Sequence, residues 1–167
     1  MLALVLLAPG PVRAQSASEM AVKAAFLLKF GAYIGWPAGA GPIILCAVGR
    51  DVLGAALERA TAGQQIGGRP VELRRLDTIA RGSGCDIAYL TGSARQSVPA
   101  ALAAVGSAPV LTVTDGRWSN VRGMIHFQIA SNRVRFHIDD QLAAAGGLSV
   151  SSKLLSLALS LRQRRGG

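Results

Sequence analysis

The sequence has no unbroken apolar run of the 18 or more residues that a membrane helix requires: Leu2–Ala8 stops at Pro9, and later apolar stretches are broken by Lys, Arg or Gly. A spanning segment is therefore not expected. Acids are also scarce, nine Asp and Glu against 18 Lys and Arg, which leaves few carboxylate pairs for acid–base catalysis. The single adjacent pair, Asp139-Asp140, reads as the end of a strand followed by a helix cap. A Gly-rich phosphate loop is missing: Gly49-Arg50-Asp51 lacks the second and third glycines, and Asp51 would repel a phosphate there. Gly82-Ser83-Gly84 precedes a strand instead of making a strand-to-helix nucleophile elbow, and local spacing indicates no Cys–His or Ser–His pair. Neither cysteine has a Cys or His partner at metal-finger spacing. No nucleotide or other cofactor is expected, and internal repeats and low-complexity segments are absent.

What is present describes a folded chain. Of 167 residues, 50% are hydrophobic and 16% charged, which suits one domain with a real core and not a disordered polymer. The net charge of +9 is scattered along the chain and not packed in a run, a pattern that favours an acidic protein surface over nucleic acid as partner. Leu2–Ala8, then Pro9-Gly10-Pro11 and Val12-Arg13-Ala14, reads as the end of a secretory signal without its basic start. Cleavage is expected after Ala14, leaving residues 15–167 as a single domain. In an oxidising compartment the two cysteines, Cys46 and Cys85, are expected to pair. Closing that loop of about 40 residues would stabilise by roughly 4 kcal/mol; the alternative is two small buried thiols.

Ser18-Glu19 followed by Val22, Phe26, Leu27, Phe30, Tyr33 and Ile34 has the three-and-four spacing of an amphipathic helix, ended by Pro37. Ile43–Val48 is an unbroken apolar run and predicts a buried parallel strand. Asp51 is expected to cap a helix reaching about Ala62, and Val71–Leu76, Asp86–Leu90 and Pro109–Thr114 read as further strands. Ser93 is expected to open a helix interrupted early by Pro99, and Leu148–Leu161 to form one closing helix. This alternation predicts an α/β, doubly wound, mostly parallel sheet flanked by helices, completed by an antiparallel hairpin and the closing helix.

The hairpin carries the sharpest catalytic or metal hypothesis. With Ser131-Asn132 as a two-residue loop, Phe127 faces Phe136 and His126 faces His137, so burying the phenylalanines puts both histidines on the other sheet face. Asp139 follows at strand spacing, making His126, His137 and Asp139 a conceivable metal set. Arg133 and Arg135 share that face and oppose a divalent ion, so a solvated polar face is the competing reading.

Val22-Lys23-Ala24-Ala25-Phe26-Leu27, Phe30, Trp36-Pro37, Ile44-Leu45-Cys46 and Gly49 stand in an order that resembles the YfiR family of periplasmic proteins. The resemblance continues through Gly68-Arg69-Pro70-Val71, Cys85-Asp86-Ile87, Pro109–Asp115, Val134–Ile138 and Gly147–Leu155. It implies a Rossmann-like regulator, not an enzyme, that sits in the periplasm and represses an inner-membrane diguanylate cyclase by binding its sensor region. It also implies self-association, as a homodimer, and an oxidisable pair matching Cys46 and Cys85. The second cysteine pair of some members is missing here. Because such proteins also occur beside sensor kinases, a small-molecule receptor serving a kinase is the alternative, with a cleft near Gly49 and Thr91-Gly92. The partner surface is expected around Tyr33, Trp36, Asp140, Leu142 and Leu148.

Overall fold

Alanine, leucine and lysine, all good helix formers, dominate the first element, helix α1 (Val12–Ala32). The computed structural model describes residues 12–164. Of the expected signal 1–14, residues 1–11 lie outside the described residues and the remaining three begin α1. The helix ends where the Trp36 indole N–H donates to the Gly31 carbonyl at 3.0 Å, satisfying an acceptor that the last turn leaves open.

The chain continues through β1 (Ile34–Gly35), the buried strand β2 (Ile43–Gly49) and α2 (Gly54–Thr61). A short hairpin, β3 (Gln65–Ile66) and β4 (Arg69–Leu76), leads to β5 (Ile87–Gly92), α3 (Val98–Val105) and β6 (Leu111–Asp115). The expected hairpin is β7 (Ile125–Ala130) and β8 (Arg133–Asp139), followed by α4 (Asp140–Ala145), β9 (Ser149–Val150), α5 (Ser152–Leu155) and β10 (Ser160–Arg162). Eight strands form one sheet in the order β10-β8-β7-β6-β5-β2-β4-β3, and β1 pairs with β9 in a separate two-stranded ribbon. Strands β4, β2, β5, β6 and β7 are parallel, while β8 runs antiparallel to β7. The chain leaves β2 towards β4 on one side and later returns to β5 on the other, so the strand order reverses between β2 and β5. Open α/β sheets bind ligands at such switch points, outside the strand C-termini.

Each sheet face buries its own core. On one, Leu27 and Phe30 of α1 meet Leu45, Tyr89, Phe127 and Phe136. Phe30 stands edge-on to Phe136 with ring centroids 4.9 Å apart and lies 5.5 Å from Phe127. Burying each such ring contributes roughly 1.5–3 kcal/mol. On the opposite face α3 packs Val98, Ala101 and Val105 against Val48, Ala88 and Leu90. There Cys46 and Cys85, both buried, form a disulfide with Cα atoms 5.8 Å apart, as the sequence led us to expect.

Three local expectations change. The third helix starts at Val98, not Ser93: Ser97 accepts the Ala100 amide, and Pro99 fits the first turn, where an amide hydrogen would have no partner. Asp51 does accept the Gly54 amide at 3.1 Å, but one turn ahead of where the α2 spiral begins. Leu148–Leu161 is not a closing helix. It splits into β9, the single turn α5 and β10, which pairs parallel with the β8 edge. Backbone pairing at that open edge wins over the leucine stripe, leaving Leu157 54% exposed.

Candidate functional site

The cleft expected beside Gly49 and Thr91-Gly92 is closed by backbone. Gly49 holds φ near 96°, and a side chain on it would collide with Gly92. The Arg50 amide donates to the Gly92 carbonyl at 3.0 Å, and the Thr91 hydroxyl donates to Val48 and Arg50 carbonyls at 3.0 and 2.8 Å. The switch-point crevice opens instead towards α1, as a cavity of about 110 Å³ bordered by Met20, Lys23, Leu53, Tyr89 and Trp118.

A buried charge cluster floors this cavity. Lys23 Nζ lies 2.6 Å from Glu19 Oε1 and 2.6 Å from Asp115 Oδ2, with the lysine side chain only 4% exposed. The Tyr89 hydroxyl donates to Asp115 Oδ2 at 2.8 Å, and the Arg117 amide donates to Asp115 Oδ1 at 3.0 Å. The Arg117 guanidinium donates to Glu19 Oε2 at 2.5 Å, and that of Arg50 stands 5.4 Å over the Trp118 ring. Burial, and after it the charge of Asp115, pushes the Tyr89 phenol far above its ordinary range, so it stays a neutral donor. The cluster ties α1 to the C-terminal ends of β5 and β6. Sequence reading passed over Lys23, yet a signal existed: it stands four residues after Glu19 and four before Leu27, a cation inside the apolar stripe.

The hairpin registers as expected, with His126 opposite His137 and Phe127 opposite Phe136, through a turn in which Ser131 and Asn132 both have positive φ. The two imidazoles are 6.3 Å apart. They do not form a ligand set with Asp139. His126 Nδ1 pairs with the Thr114 hydroxyl at 2.8 Å, and His137 is held between Ser160 and Gln128 Oε1. Asp139 accepts the Leu142 amide at 2.8 Å and pairs with Arg162. Among the described residues no group of three or more His, Cys, Asp or Glu side chains is placed to hold a metal ion.

Burial first, and then the neighbouring Arg122, lowers both histidine pKa values; Asp115 works weakly against this at His126. The folded state therefore binds fewer protons than the unfolded chain once the pH drops below the ordinary histidine value near 6.5. Stability is expected to be full above that pH and to be lost as pH falls through the depressed values. A melting temperature that declines from pH 7.5 to 5.5, and declines less in His126→Gln, is the expected result; a flat profile would contradict it.

The surface expected at five residues is only partly exposed. Leu148 is 2% exposed and Asp140 7%, the latter clamped by Arg164 through contacts of 2.9 and 3.2 Å, so neither presents a docking group. Both serve the interior because α4 and β9 fold over the sheet edge. Tyr33 and Trp36 are half-buried, Tyr33 beneath Lys153, and Leu142 is exposed.

A larger free surface lies on the α3 side of the sheet. Helix α3 covers β2 and β5, while the same face of β7, β8 and β10 leaves Gln128, Arg133, Arg135 and Arg162 exposed. Arg122, His126, His137 and Arg162 border a hollow of about 310 Å³ there, in which Asp139 is the acidic residue. The face is polar and cationic.

A family model described as YfiR/HmsC-like matches residues 20–159. No curated protein matches the chain. No helix among the described residues is long and apolar enough to cross a membrane.

Proposed function

The chain belongs to the YfiR/HmsC-like family, and from that premise we propose a periplasmic regulator that binds the sensor region of an inner-membrane diguanylate cyclase and holds cyclic di-GMP synthesis down. The observation that carries this reading is the uncovered cationic face of β7, β8 and β10, on which arginines project from a rigid sheet. Such a face suits an acidic surface on the sensor domain, with charge steering the encounter. Repression then follows from selective binding of the cyclase conformer that is inactive. Tyr33, Trp36 and Leu142 supply secondary apolar contacts at the β1–β9 ribbon and α4. On the face His137 is hydrogen-bonded both to Ser160 and to Gln128 Oε1, which joins β7, β8 and β10 into one surface.

Charge reversal tests the proposal. Arg133→Glu with Arg135→Glu is expected to weaken binding of the purified sensor domain by at least about tenfold and to derepress cyclic di-GMP synthesis. Both side chains are exposed, so the melting temperature is expected to stay nearly constant. Unchanged affinity in the variant would remove this face from the interface. A wild-type protein that binds no sensor domain and leaves cyclase output unaltered would overturn the function.

A further inference from the structure

We propose that the switch-point cavity between α1 and the C-terminal ends of β5 and β6 binds a small organic monoanion, a carboxylate on an apolar body about the size of a benzene ring. The site holds more hydrogen-bond donors than acceptors. Both oxygens of Glu19 and both of Asp115 already accept, from Lys23 and Arg117 and from Tyr89, Lys23 and the Arg117 amide respectively. A guanidinium has five N–H groups, and Arg117, its side chain 55% exposed at the mouth, commits its Nη2 to Glu19. Lys23 and Arg117 line the cavity with Glu19, and Asp115 holds Lys23 from behind, so the charges in the cluster balance and the unspent donors are the remaining N–H groups of Arg117.

The remaining wall is apolar. Met20, Val52, Leu53 and the Trp118 ring border the cavity, and Trp118 is 37% exposed. About 110 Å³ compares with the roughly 150 Å³ apolar cavity that accepts benzene. The body of such an anion would lie against Trp118 and Leu53 with its carboxylate towards Arg117. Location, size and the free Arg117 donors thus point to the same ligand class, at the place where this sheet topology opens its crevice. Binding here is independent of the docking face, since the two sites share no side chain that either argument uses.

Calorimetric titration of the whole protein with sodium benzoate, and with benzyl alcohol as the uncharged counterpart, tests the inference. Saturable one-to-one binding of benzoate is expected, at least tenfold tighter than benzyl alcohol. Arg117→Gln should weaken it tenfold or more, Arg117→Lys should restore part of the affinity, and Val52→Phe should block it by filling the cavity. Arg117 is solvent-exposed, so its variants are expected to fold, and circular dichroism checks each protein. Absence of benzoate binding in the wild type, equal affinity for the alcohol, or undiminished binding in both Arg117→Gln and Val52→Phe would overturn the proposal. Each of these outcomes leaves cyclase repression to be judged by its own assay.

Discussion

Lys23→Met is expected to lower stability by about 3–5 kcal/mol, the cost typical of removing one partner from a buried ion pair. Lys23 is 3% exposed and Asp115 1% exposed, so Asp115 has no water to replace the lost ammonium, while Glu19, 12% exposed, keeps Arg117 as its partner. Asp115 would keep the Tyr89 hydroxyl and the Arg117 amide, but not a counter-charge. For a domain of this size that corresponds to a melting temperature roughly 10 °C lower. Neutralising the whole cluster, Glu19→Gln with Lys23→Met and Asp115→Asn, is expected to recover most of the loss, because the penalty lies in the stranded charge. Urea denaturation of the three proteins checks both statements; a loss below about 1 kcal/mol in Lys23→Met would mean that the cluster is effectively solvated.

The second large effect concerns the Cys46–Cys85 bridge. It joins the middle of β2 to Cys85, two residues ahead of β5, across a separation of 39 residues. Restricting the unfolded chain by a loop of that length stabilises the fold by roughly 4 kcal/mol. Cys46→Ala with Cys85→Ala is expected to lose about that amount, and reduction of the wild type should lose nearly as much. Because β2 and β5 are already paired side by side, the native contacts survive in both cases. The variant is therefore expected to fold to the same structure with a lower denaturation midpoint. Equal midpoints for oxidised, reduced and substituted protein would show that the bridge constrains nothing.

How legible the molecule was in its sequence depends on the physical origin of each feature. Strand β2 could be read because Ile43–Val48 is buried on both faces, and a doubly covered strand needs an unbroken apolar run. The β7–β8 register followed from two facing phenylalanines and a turn whose Ser-Asn pair tolerates positive φ. Leu148–Leu161 misled because leucines at helical spacing say nothing about a sheet edge waiting for a partner; β10 is a tertiary effect. Asp140 and Leu148 looked exposed for the same reason, since their burial depends on how α4 and β9 close over the sheet. The cavity was legible only as a general location. Which side of the switch point stays open is decided by the Gly49–Gly92 contact and the Lys23 cluster, and both require three dimensions.

The packed phenylalanines also govern how the chain reaches its native state. Phe26 and Phe30 meet Phe127 and Phe136 from about a hundred residues away, so this part of the interior cannot assemble until distant segments find one another. The loop-closure entropy is spent before the aromatic contacts return anything, which places this domain among the slow folders for its length.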